Sequence, residues 1–217
     1  MGGHRLDIPA PKEGLAGFWY LLHTHFGKLV TINLLTLLFL LPLVTLPAAM
    51  CGACRVLVLL IRTGNVFVWS EFWQEFRRSF WKGLFGGVIF AAGLLVCYYL
   101  LSMGTWYFSS LIGMVCIAVG LLLLVFFALL ANYTVILMTL QELPFSALLG
   151  NAFRMILHPR GRAGWVLALH ICMVLYSICL FPLSLLPIPV IGISLPLYCT
   201  CWLVYSGAKD LVLLETE

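Results

Sequence analysis

The stretch that decides the fold class is GLFGGVIFAAGLLVCYYLLSMGTWYFSSLIGMVCIAVGLLLLVFFALLANYTVILMTLQ, residues 83–141, which contains no Asp, Glu, Lys or Arg. Crossing a bilayer takes about 20 apolar residues, so this stretch is long enough for two membrane spans. Residues 163–208 form a second charge-free stretch, and Arg55 is the only charged residue in 29–61. We therefore expect two spans in residues 163–208 and two shorter ones in residues 29–61.

The composition agrees with this expectation. Of the 217 residues, 63% are hydrophobic and 9% are charged, whereas a soluble domain carries about 25% charged residues. The sequence predicts an all-α fold, a polytopic membrane helix bundle. Its single transmembrane domain covers residues 29–208, preceded by a tail and interfacial lead-in at 1–28 and followed by a short tail at 209–217.

Six spans are predicted, but one of them is short for a crossing. Residues 48–61 would form a helix of roughly 21 Å, against a hydrocarbon core of about 30 Å. If this segment crosses, the N-terminus lies inside; if it lies in the interface, five spans remain and the N-terminus lies outside. The predicted spans are residues 29–46, 48–61, 83–103, 110–140, 164–184 and 190–206.

Two further segments, residues 69–82 and 145–158, have the helical period of amphipathic helices. Aromatic residues in the first recur at i, i+4, i+7 and i+11, which places them on one helix face. A helix with one apolar and one charged face is typical of the membrane interface. We interpret five aromatic side chains on these segments as a candidate partner interface: Trp69, Trp73, Phe76, Phe80 and Phe153.

The basic residues predict the orientation. Cytoplasmic loops carry an excess of Lys and Arg, and the segments 62–82 and 142–162 both contain several, whereas the links 103–110 and 184–190 contain none. The C-terminus is therefore predicted to be cytoplasmic. Because the basic clusters lie at the ends of apolar segments rather than on one face, they indicate contact with the lipid bilayer and not with nucleic acid.

Arg55 is the residue that most resembles part of a site. An ionisable group inside a span is by default a functional hypothesis, so a polar cavity could form from Arg55 with Asn33, Thr45 and Asn132. The alternative is that Arg55 snorkels towards the headgroups or that its helix lies in the interface.

Cys51 and Cys54 form a C-x-x-C motif just after a turn. A redox pair of this kind normally lies at an exposed helix start, but the Gly52 and Ala53 between the cysteines also suit close helix packing. A metal would need about two more ligands nearby. We predict no metal, no cofactor and no catalytic residues, because paired carboxylates, a Ser/His/Asp set and a phosphate loop are all absent from the pattern, and we therefore do not expect an enzyme.

The segment NLLTLLFLLPLVTLPAA, residues 33–49, resembles the YesL-like family of bacterial membrane proteins. Family members show an Asn, an apolar run, Pro-x-x-Thr and small residues, and then an aromatic-spaced segment with basic residues. The positions that carry this resemblance are Asn33, Pro42, Thr45, Ala48 and Ala49, followed by Phe72, Phe76, Phe80, Arg77 and Arg78. Pro47 stands where a Gly is common in the family.

The resemblance implies a location in the bacterial cytoplasmic membrane and an accessory role near a carbohydrate uptake system, with a sugar importer complex as the partner. The family has no established biochemical role, so the resemblance implies nothing more specific. The alternative hypothesis from the residues themselves is a small-solute permease with a polar cavity around Arg55.

Overall fold

The computed structural model describes residues 14–158 and 162–210. These residues form eight α-helices and no strand, so the all-α fold class is confirmed. The helices are α1 (Gly14–Thr24), α2 (Phe26–Leu40), α3 (Leu46–Thr63), α4 (Val68–Trp106), α5 (Leu111–Leu140), α6 (Phe145–Leu157), α7 (Ala163–Cys179) and α8 (Ser194–Asp210).

By length and composition, four helical segments of the described chain can cross a membrane: α3, α4, α5 and the segment Ile188–Ser206. A fifth is possible if α1 and α2, which are bent by 72° relative to each other, act as one span. α7 is apolar but only 17 residues long. The chain is thus a helical membrane protein with four or five candidate spans, where the sequence predicted six or five.

α4 differs most from the predicted segmentation. The sequence divided this region into an amphipathic helix at 69–82 and a span at 83–103, but the structure has one continuous helix of 39 residues. No proline interrupts it, and Pro47 of α3 packs against Gly83 and Gly87 where the two predicted segments meet. At about 1.5 Å per residue α4 is roughly 58 Å long, about twice the hydrocarbon thickness of a bilayer.

α3 is the central helix of the bundle and packs against α2, α4, α5 and α8. The run from Cys51 to Cys54 is fully buried in it. Gly52 is required there by close packing, because a Cβ at this position would lie 3.0 Å from the carbonyl oxygen of Phe72. Residues 48–61, which the sequence predicted as a short span, therefore lie in the core of the protein.

Prolines explain where other helices end. The predicted span at 29–46 divides into α2, a turn at Leu43–Thr45 and the start of α3. The division falls at Pro42, because proline has no backbone N–H and cannot continue the hydrogen bonding of a helix. The predicted span at 164–184 stops at Cys179, shortly before Pro182, and α8 begins only at Ser194. The predicted helices at 110–140 and 145–158 correspond to α5 and α6 within one residue.

Candidate functional site

Asn33 is one of four residues predicted to line a polar cavity, and it is fully buried in α2. Its Nδ2 donates to the carbonyl oxygen of Ile188 at 2.8 Å. Its Oδ1 accepts from the backbone N–H groups of Ile193 at 2.9 Å and Ser194 at 3.1 Å. Asn33 thereby satisfies backbone groups at the start of α8 and attaches the connection between α7 and α8 to α2.

Thr45 and Asn132 also have local structural partners. The Thr45 hydroxyl lies within hydrogen-bond distance of the carbonyl oxygens of Phe39 and Pro42, which closes the turn between α2 and α3. Asn132 Nδ2 donates to the Ala128 carbonyl at 2.8 Å and lies 3.4 Å from Nε2 of His170, which joins α5 to α7. Each side chain thus supports the bundle at a different place.

Arg55 contacts α4 and α5 instead of the other three residues. Its Nη1 donates to the carbonyl oxygen of Thr139 at 3.1 Å, and its Nε lies 3.8 Å from a carboxylate oxygen of Glu71. Both side chains of the ion pair are about one-third exposed. The sequence interpretation missed this partner because it assigned Glu71 to a separate interfacial helix. The short connection at 64–67 could have predicted the contact, because a short connection makes α3 and α4 antiparallel neighbours.

A second ionic group lies beside the first, and we name it the Glu75 cluster: Glu75, Arg78, Ser79 and Glu142. Glu75 is only 3% exposed and accepts from the Ser79 hydroxyl. Arg78 lies 2.9 Å from Glu75 and 2.5 Å from Glu142, and so connects α4 to the end of α5. The sequence predicted an interfacial amphipathic helix at residues 69–82, but in the structure Glu75 of this segment is buried and paired.

The aromatic residues of the candidate partner interface are unequally exposed. Phe76 is buried, and its ring centroid lies 5.0 Å from that of Phe39 in α2. Trp73 lies 5.7 Å from the same ring, and Phe80 also packs against the core. Trp69 is 59% exposed and Phe153 is 45% exposed. Much of the predicted interface is therefore internal packing between α2 and α4.

An apolar cleft of about 620 Å³ lies between α3, α4, α5 and α6, within the roughly 300–1,000 Å³ typical of ligand pockets. We call it the apolar cleft. Asn132 contributes to its lining, but Arg55, Asn33 and Thr45 do not. Its lining also includes Val44, Pro47, Met50, Cys51, Cys54, Gly83, Gly86, Gly87, Val88, Ala91, Leu94, Thr134, Met138 and Phe145.

The C-x-x-C motif lies on the wall of this cleft. Cys51 and Cys54 are both free thiols and both fully buried, and the Cys54 thiol interacts with Cys201 in α8. A redox pair needs access to its oxidant or reductant, so the burial favours the packing interpretation. Among the described residues, no group of three or more His, Cys, Asp or Glu side chains has the geometry for a metal ion.

The segment from α2 to most of α4 has a counterpart among known families. Residues 29–101 match the family model described as "Protein of unknown function, DUF624". The DUF624 match contains Asn33, Arg55 with Glu71, and the α3 and α4 walls of the apolar cleft. No curated protein and no solved structure matches the chain. This segment is thus similar to a family whose description names no activity.

Proposed function

We propose that this protein is a non-enzymatic accessory component of a membrane complex and docks on a partner through the paired helices α4 and α5. The observation that carries the proposal is the low burial of this pair. Only 17% of the most apolar window of each helix is buried within the chain. Helices in membranes associate by close packing, and we assign this uncovered surface to contact with a partner's transmembrane helices.

The pair is held together by glycines, which leaves the large side chains facing outwards. A Cβ at Gly93 would lie 2.8 Å from the Phe127 ring, and one at Gly104 would lie 2.5 Å from Ile117. Large apolar side chains elsewhere on both helices are more than half exposed, among them Phe85, Leu95, Tyr98, Tyr99, Leu111, Ile112 and Leu122.

The partner class comes from the sequence resemblance to YesL-like proteins, which suggests a sugar importer in the bacterial cytoplasmic membrane. In this proposal the basic segments around residues 62–82 and 142–162 face the cytoplasm, as does the C-terminus. The DUF624 match fits an uncharacterised membrane protein.

The test is photocrosslinking in living cells with a photoreactive amino acid at Tyr99 or Leu122, which are 63% and 71% exposed. We expect covalent adducts with a membrane subunit of a sugar importer, identified by mass spectrometry. The matched control is Cys97, which is 1% exposed and lies on the inner face of the same helix. Adducts with lipid or with the chain itself at both exposed positions would contradict the proposal.

The alternative proposal is a small-solute permease that uses Arg55. It is less well supported, because Arg55 contacts Glu71 and Thr139 and the predicted cavity residues lie elsewhere. Solute flux into vesicles that contain the purified protein tests it: a permease requires flux that the substitution Arg55→Met abolishes and Arg62→Met, a change at an exposed position of the same helix, preserves.

A further inference from the structure

We propose that the apolar cleft binds an acyl chain of a membrane glycerophospholipid, with the ammonium group of Lys82 at the lipid phosphate. This proposal does not depend on the accessory function. It rests on the length of the cleft, on the covered glycines in its wall and on the charge at one of its ends.

The length of the cleft matches one membrane leaflet. Its α4 wall runs from Gly83 to Leu94, which corresponds to roughly 18 Å of helix. The hydrocarbon of one leaflet is about 15 Å deep, half of a core of about 30 Å. The rim includes Val44 and Val88, which are 59% and 63% exposed, so a chain can enter from the surrounding lipid.

The glycines of the cleft are not free to receive a second helix. Helices in membranes pack closely through small residues that face the neighbouring helix. The glycines leave no extra room for a second backbone, because a Cβ at Gly86 would already lie 2.8 Å from the Phe145 ring and one at Gly87 would lie 2.6 Å from Pro47.

The charge is at the end where a headgroup would lie. Lys82 directly precedes Gly83, is exposed, and its Nζ lies 3.5 Å from the carbonyl oxygen of Leu143. Arg78 is nearby, but Glu75 and Glu142 pair with it. Lys82 therefore presents an exposed ammonium at the boundary between the charged and apolar halves of α4, where basic residues bind lipid phosphates.

The first experiment compares two neighbouring alanines of α4. Ala91 lines the cleft and Ala92 does not, although both are exposed. We expect Ala91→Trp to reduce binding of phosphatidylglycerol to the delipidated protein about tenfold, as measured by native mass spectrometry, while Ala92→Trp leaves binding unchanged. Equal binding by the two folded variants would overturn the proposal.

The second experiment tests the headgroup contact. Lys82→Gln should weaken phosphatidylglycerol binding about fivefold, whereas Arg62→Gln, a change at another exposed basic residue, should leave it unchanged. A similar loss in both variants would remove the assigned role of Lys82.

A third measurement needs no substitution and therefore no refolding control. A phospholipid with a photoreactive group at the end of its acyl chain, reconstituted in vesicles with the intact protein, should label peptides that contain Met50, Met138 or residues 83–94. Labelling spread evenly over α4 and α5, or a peptide of another protein found crosslinked in the cleft in cells, would contradict the lipid assignment.

Discussion

Asn33 is a single polar side chain that holds two parts of the bundle together. Its amide meets one carbonyl and two N–H groups of the segment that leads into α8. Leaving a buried backbone group without a partner costs about 1–3 kcal/mol, so this one amide contributes substantially to the free energy of unfolding.

At this position we predict that Asn33→Leu lowers the free energy of unfolding by about 3 kcal/mol or more, since it removes all three bonds. Asn132→Leu is the matched control, because the Asn132 amide donates to a carbonyl of its own helix and its loss leaves no backbone N–H without a partner. Its removal should cost about 1 kcal/mol or less. Unfolding by SDS titration in micelles measures both. A similar loss for the two variants would contradict the role of Asn33 as the partner of these buried backbone groups.

The Glu75 cluster leads to a second prediction at this scale. Arg78→Met leaves the buried Glu75 carboxylate without its ion pair and should destabilise the protein by about 3 kcal/mol. The double substitution Glu75→Leu with Arg78→Met should recover much of this loss, because no unpaired charge remains. Glu142→Gln, at a side chain that is 81% exposed, should change the stability by less than about 1 kcal/mol. The same SDS titration distinguishes the three variants.

The hairpin of α4 and α5 shows how local sequence and packing combine in an element. The charged residues 71–82 and the apolar residues 83–106 look like two elements in the sequence, yet they form one helix because nothing between them stops helical hydrogen bonding. The turn that follows is tight, and Gly113 packs against it. A Cβ at Gly113 would lie 1.9 Å from the backbone oxygen of Tyr107.

Gly113→Ala should therefore open this turn and lower the melting temperature of the purified protein, because the clash is with backbone and cannot be relieved by a side-chain rotation. Gly150→Ala in α6 is the control, since no atom lies within 4 Å of its added Cβ. It should be neutral or stabilising by up to about 1 kcal/mol, the difference in helix propensity. Equal melting temperatures for the two variants would contradict the clash.

The whole molecule combines this hairpin with a bundle built around α3. Arg55 lies beside Glu71, twelve residues before Gly83, or roughly 18 Å along α4 from the start of its apolar half. α3 thus packs next to the charged half of α4. Arg55 therefore has a carboxylate partner, Glu71, that lies outside the charge-free stretches.

Single cysteines in a cysteine-free background test the orientation of the whole molecule. Asn65→Cys and Glu142→Cys flank the α4–α5 hairpin and should react with a membrane-impermeant reagent from the cytoplasmic side. Phe108→Cys, in the link between the two helices, should react from the other side. Phe72→Cys, at a fully buried position, should remain unlabelled. Labelling of positions 65 and 108 from the same side would contradict a crossing by α4.

The sequence by itself determined that this is a helical membrane protein, because exposing long charge-free apolar stretches such as 83–141 to water is unfavourable. It also located α5 and α6 almost to the residue, since the charge-free stretch and the amphipathic period are local features of the sequence. Only the tertiary structure decided that Arg55 pairs with Glu71, that Phe76 is internal, and that α3, α4, α5 and α6 enclose an apolar cleft. Periodicity identifies which face of a helix is apolar, but the residues that cover that face depend on helix packing between distant parts of the chain.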